Sequence, residues 1–215
     1  MNRANRNAVV ALSLAVLILA GALAVFLLAQ PTPAPANDTL QRDFTGVETI
    51  TPPLALEGFS LIDQNGESIT LDDLKGKPAL IAFGFTNCPD ICPLTLNEFK
   101  KLKETLGDKG DAMNFVFISV DGERDTPDVL KGYFERMGVP SFVGITGDAE
   151  AVRAWGAPFN LQFSYGERNP NTGYYAVDHT ANYFLLNADG AWVSKISYGT
   201  LRQYILEELL RVIGA

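Results

Sequence analysis

The stretch TNCPDICPLT, residues 86–95, holds both cysteines of a 215-residue chain, Cys88 and Cys92, each followed by a proline. Two thiols can serve as a redox couple, as a structural staple or as metal ligands. Residues four apart on one helical turn share a face, with Cβ atoms about 5–6 Å apart. Small rotamer changes then bring the sulfurs within reach of a disulfide or of one shared metal ion. Pro93 has no amide hydrogen to give and is tolerated only in a first turn, so CPDICP is expected to be a rigid helix start. There, unpaired N–H groups and the positive end of the helix dipole favour a thiolate. Both cysteines are therefore expected to be acidified, and reactive or ligating.

As a staple the pair would accomplish little, because even a 15-residue loop gains only about 3 kcal/mol from closure. Two inert buried thiols fit poorly with the intervening Pro89 and Asp90, a turn-like composition that belongs at the surface. The sole histidine, His179, lies in YYAVDHTANYFLLN (174–187), just before an apolar strand. Alone it reads as a loop histidine; beside two thiols it completes a three-ligand set. Thiolates select Cu(I), imidazole suits copper and zinc, and structural zinc usually takes four protein ligands. Three ligands fit copper best. Zinc stays open if Asp90, Asp178 or a water completes four positions. Asp178 has a second reading, as the partner that fixes the imidazole tautomer, although strand neighbours point to opposite sides.

These residues need a scaffold, and from about Thr45 the pattern alternates strands and helices as in a single α/β domain. Asn65-Gly66 between two alternating runs predicts a β-hairpin over 58–71. The apolar run ALIAFGF (79–85) predicts a buried central strand, and Phe99, Leu102 and Leu106 predict a helix ending at Gly107. The cysteines thus fall at a strand-to-helix turn. A second buried strand at 114–120 leads to a helix opened by Thr126-Pro127, followed by a short strand at 142–145 and a helix at 148–155. Residues 159–177, with GERNPNTG, predict an inserted hairpin or loop. An antiparallel pair at 182–197 and a capping box on Thr200 and Gln203 then lead to the last helix.

The formal charge is −8, from 17 basic and 25 acidic residues. Setting aside Arg3 and Arg6 leaves 15 minus 25, or −10, which argues against a nucleic-acid surface. Those two arginines precede an uncharged apolar run at 8–29, long enough to span a bilayer of roughly 30 Å as a helix. No Lys or Arg follows until Arg42, so the positive-inside bias puts residues 1–7 in the cytoplasm and exports the rest. Ala34-Pro35-Ala36 loosely suggests a signal cleavage site, but the apolar core exceeds the roughly 7–15 residues usual there. The expected organisation is a cytoplasmic N-terminus (1–7), a transmembrane anchor (8–29), a proline-rich linker (30–44) and one domain (45–215).

Taken together, FGFTNCPDICPLTL (83–96), VDGERDTPDVLKGY (120–133), GITGDAEAV (144–152) and YAVDHTANYFLLNADG (175–190) resemble the Sco/SenC family of membrane-anchored copper chaperones for cytochrome c oxidase assembly. The resemblance implies a thioredoxin-like fold with an inserted hairpin, and copper held by Cys88, Cys92 and His179. It matches the family's acidic residue between the cysteines to Asp90, and the aspartate before the histidine to Asp178. One departure is Gly122, where the family commonly has proline. The implied activity is copper delivery to the binuclear copper centre of the oxidase, coupled to reduction of that centre's cysteines by Cys88 and Cys92. The implied partners are the oxidase subunit that carries this centre and a copper-donor protein. The implied location is the periplasmic side of a bacterial inner membrane, or the intermembrane-space side in mitochondria. The competing reading is a metal-independent thiol–disulfide oxidoreductase of thioredoxin type, although thioredoxins place two residues between their cysteines. A peroxidase of peroxiredoxin type rests on TNCP alone.

Overall fold

The computed structural model describes residues 45–214. The expected N-terminus, anchor and linker lie outside the described residues, and among those described no helix is long and apolar enough to cross a membrane. Strand β1 (Val47–Leu54) was not expected, since Pro52-Pro53 breaks its pattern. It runs along the edge of the sheet, antiparallel to β10 (Trp192–Ile196), where a missing amide donor is tolerated. The predicted hairpin follows as β2 (Ser60–Asp63) and β3 (Ser68–Thr70), with Gly66 at φ +83° in its turn.

Strand β4 (Ala79–Gly84) is buried at all six positions and lies between β5 (Asn114–Ser119), parallel, and β9 (Tyr183–Leu186), antiparallel. With β6 (Val143–Thr146) the eight-stranded sheet runs β1-β10-β9-β4-β5-β6-β2-β3. Crossovers through α1 (Ile91–Leu106) and α2 (Pro127–Met137) join β4, β5 and β6. α1 buries Cys92, Thr95, Leu96, Phe99 and Leu102, one stripe at three- and four-residue spacing. It ends at Gly107, whose φ is +57°. Thr126 caps α2 by accepting from the Val129 amide, and Asp148 caps α3 (Ala149–Gly156) through two backbone amides. The arrangement is thioredoxin-like, and the core aromatics Phe99, Phe117, Phe134 and Phe184 are fully buried, each worth about 1.5–3 kcal/mol.

Two local expectations are corrected. The last helix, α4 (Arg202–Ile213), has Leu201 at its N-cap and no side-chain cap. The Thr200 hydroxyl is instead drawn to the Gly46 carbonyl at 3.2 Å, tying the incoming chain to this end of the sheet. The inserted hairpin is real, but its second strand runs two residues past Val177. It consists of β7 (Phe163–Tyr165) and β8 (Val177–His179), a two-stranded sheet separate from the main one.

Candidate metal centre

The two cysteines enter the site from one scaffold and the histidine from another. Cys88 sits in the loop after β4, where its amide donates to the Phe85 carbonyl at 3.3 Å. Cys92 occupies the first turn of α1 and points inward, 2% exposed. Gly84 makes room for it: a Cβ there would lie 2.8 Å from the Cys92 sulfur and 2.6 Å from the Phe117 ring. His179 closes β8, opposite Phe163. The hairpin extension is therefore what places the histidine, and the insertion is part of the site.

The ligand atoms of Cys88, Cys92 and His179 all lie within 4.8 Å of one another. His179 Nε2 is 3.6 Å from Cys92 Sγ, and the Cys92 amide points at Cys88 Sγ across 3.5 Å. Both thiols are free. His179 Nδ1 lies 2.9 Å from the Thr180 carbonyl. That carbonyl can only accept, so Nδ1 carries the proton and the Nε2 lone pair faces the sulfurs. Phe85 meets the imidazole edge-on, with ring centres 5.8 Å apart. A cavity of about 390 Å³, bordered by Gln162, Asp178 and His179 among others, opens beside the ring.

Neither aspartate joins the group. Asp90 is exposed at the N-cap of α1 and makes no side-chain cap bond. Asp178 is exposed opposite Ser164, and the imidazole's hydrogen bond goes to a backbone carbonyl rather than to it. The strand alternation explains this, since neighbours along β8 face opposite ways.

Electrostatics differ from expectation at Cys92. Burial pushes its thiol well above the ordinary range; the Phe85 backbone hydrogen bond opposes this, while Cys88 and Asp125 add to it. The side chain follows the buried stripe of α1, so desolvation outweighs the helix end. Burial likewise lowers the His179 pKa below 6.5, against the opposing Thr180 carbonyl and Asp178. The ring is thus kept neutral and able to ligate.

Sequence reasoning assigned no role to Asp125, which has no exposed surface. Its carboxylate accepts from the Thr86 amide and hydroxyl and from the Ser119 hydroxyl, at 2.6–2.8 Å. This clamps the loop that leads to Cys88. Burial raises its pKa, Ser119 and Thr86 resist the rise, and Asp121 reinforces it. Nothing in the local sequence separates it from an ordinary exposed residue before a helix cap.

Residues 48–214 match the family described as SCO1/SenC. An SCO2-like protein of Rickettsia felis is 36% identical over 151 residues, covering 70% of this chain and 73% of its own. The copper-bound structure of Bradyrhizobium japonicum ScoI is 36% identical with a TM-score of 0.65, covering 74% of this chain and 99% of its own. Copper-bound yeast Sco1 is 30% identical with a TM-score of 0.69, covering 76% and 90%.

Proposed function

The chain belongs to the SCO1/SenC family, and on that premise we propose that it is a membrane-anchored copper-binding protein. It would supply copper to the binuclear copper centre of cytochrome c oxidase and reduce that centre's cysteines. The observation that carries the proposal is the convergence of Cys88, Cys92 and His179 within 4.8 Å. Two sulfurs and one imidazole nitrogen suit copper in either oxidation state. No fourth protein ligand joins them among the described residues, which favours copper over a closed zinc site. Copper-bound relatives support the same metal. Arg3 and Arg6 ahead of the uncharged 8–29 run support an anchor with the domain on the outer side of the inner membrane.

Copper is cargo here, so the ligands must also let go. His179 is the ligand carried on the separate hairpin, and its neutral nitrogen is the natural first to leave. Without copper, the dithiol can reduce an acceptor disulfide. Half-buried Cys88, as thiolate, attacks one acceptor sulfur and the other leaves as thiolate. Cys92 then gives its proton to the Nε2 lone pair of His179, 3.6 Å away, attacks Cys88 and releases the first acceptor sulfur as thiolate. Two electrons pass to the acceptor, and Cys88 and Cys92 become the disulfide.

Anaerobic copper titration of the full chain tests the proposal, comparing wild type with Cys88→Ala, Cys92→Ala and His179→Ala. Wild type is expected to retain one equivalent with sulfur-to-Cu(II) charge-transfer absorption, lost or shifted in each variant. Unchanged copper content in all three variants would overturn it. So would a copper-free wild type that merely cycles between dithiol and disulfide, the metal-independent oxidoreductase.

A further inference from the structure

The hairpin that carries His179 shares no backbone ladder with the main sheet. Side chains hold it at two places: Arg153 of α3 donates to the Phe163 carbonyl at 3.2 Å and lies over that ring, and a second group gathers on Arg124, in the loop between β5 and α2. Arg124 Nε donates to Asp121 Oδ2 at 2.5 Å and Nη1 donates to the Tyr175 carbonyl at 3.0 Å. The guanidinium carbon lies 3.7 Å from the centre of the Tyr175 ring. Tyr175 closes the circuit by donating its hydroxyl to Asp121 Oδ1 at 2.6 Å. Toward the site, the same guanidinium stands 5.8 Å from Phe85, the ring that meets His179 edge-on. Two further bonds hold the hairpin near this point: Tyr165 to the Val120 carbonyl, and Arg168 to Glu123, each at 2.5 Å.

We propose that Arg124 is the positioning residue for His179. Its planar fork reaches the root of β8 through Tyr175, and the same group stands 5.8 Å from Phe85, the ring that meets the imidazole edge-on. One side chain therefore links the Tyr175 end of the hairpin's seat to the ring beside the ligand. Asp121 is only 1% exposed, so it holds Arg124 in a desolvated pair with little freedom to tilt. Lysine could keep the charge and the ring contact but not two bonds in a fixed plane. The importance of this seating rests on the copper reading; the seating itself does not.

His179 is the sole histidine, so a full chain labelled with ¹³C,¹⁵N-histidine, without a polyhistidine tag, reports one imidazole. Wild type, Arg124→Lys, Arg124→Met and Tyr175→Phe are compared metal-free for the ring's nitrogen shifts. They are then compared with copper for the charge-transfer band and for the rate of Cu(I) loss to a chelator. Wild type is expected to show the single Nδ1–H tautomer. Arg124→Lys and Arg124→Met are expected to show mixed tautomers, a displaced band and about 10-fold faster copper loss. Tyr175→Phe keeps the stacked ring and is expected to shift the same signals less. If Arg124→Met does not fold, the other two variants decide. A folded Arg124→Lys with the wild-type tautomer and band overturns the inference, leaving Arg124 a stability role alone. A wild type that binds no copper sinks the copper reading, and the metal-free ring signals still judge the seating.

Discussion

The amide and the hydroxyl of Thr86 both end on the carboxylate of Asp125, at 2.8 and 2.6 Å across 39 residues of sequence. This pair ties the approach to the cysteine loop to the threshold of α2. The loop is therefore held by a buried side chain and not by the turn alone.

Removing that carboxylate strands two hydroxyls and an amide, and a buried polar group left unpaired costs about 1–3 kcal/mol. Asp125→Ala is expected to destabilise the domain by about 3 kcal/mol, since such losses are not additive. Urea unfolding should show a lowered midpoint at an unchanged slope. A negligible shift would mean that the clamp does not hold the loop.

The His179 ring should titrate below 6.5, because burial disfavours the imidazolium. Between the native value and 6.5 the unfolded chain binds more protons than the native one. Stability contributed through this group is therefore full above 6.5 and lost as pH falls through that window. An NMR titration of the metal-free chain gives the native midpoint directly, and a value at or above 6.5 would contradict the reading.

The two thiols should differ in reactivity. Cys92 is buried with a raised pKa, whereas Cys88 is half-buried. Since the thiolate is the reacting form, Cys88 is expected to alkylate at least about 10-fold faster. Timed iodoacetamide labelling with peptide mass spectrometry measures the ratio, and equal rates would refute the assignment of Cys88 as the attacking thiol.

Gly122 offers a test of the departure from the family pattern. A Cβ there would collide with the Gly147 carbonyl. Gly122→Ala is expected to cost about 2 kcal/mol, or roughly 4–8 °C in melting temperature. A scanning calorimeter settles it, with an unchanged melting point as the contrary result.

Much of this site is legible in the sequence because its signals are local. The 88/92 spacing with two prolines marks a helix start, ALIAFGF marks the buried strand before it, and Asn65-Gly66 marks the hairpin. Long-range contacts decide what is not legible. Strand β1 hides behind Pro52-Pro53, and only its place at the sheet edge makes them tolerable. The Thr200 hydroxyl has two plausible partners, and only the fold shows Gly46 winning. The acidity expected of Cys92 failed because its direction along α1, and hence its burial, is a property of packing. Asp125 and Arg124 act across 39 and 51 residues, which no short motif can register.

The glycine beneath the Cys92 sulfur carries a consequence for how such chains diverge. Positions 84, 92 and 117 share one small volume, so a side chain gained at 84 would displace both the sulfur and the Phe117 ring. A lineage that abandons the thiol at 92 gains room at 84 only if the ring at 117 also shrinks. The three positions should therefore change together across descendants or not at all, and a side chain at 84 would mark a branch in which the ring at 117 has shrunk and the sulfur has lost its task.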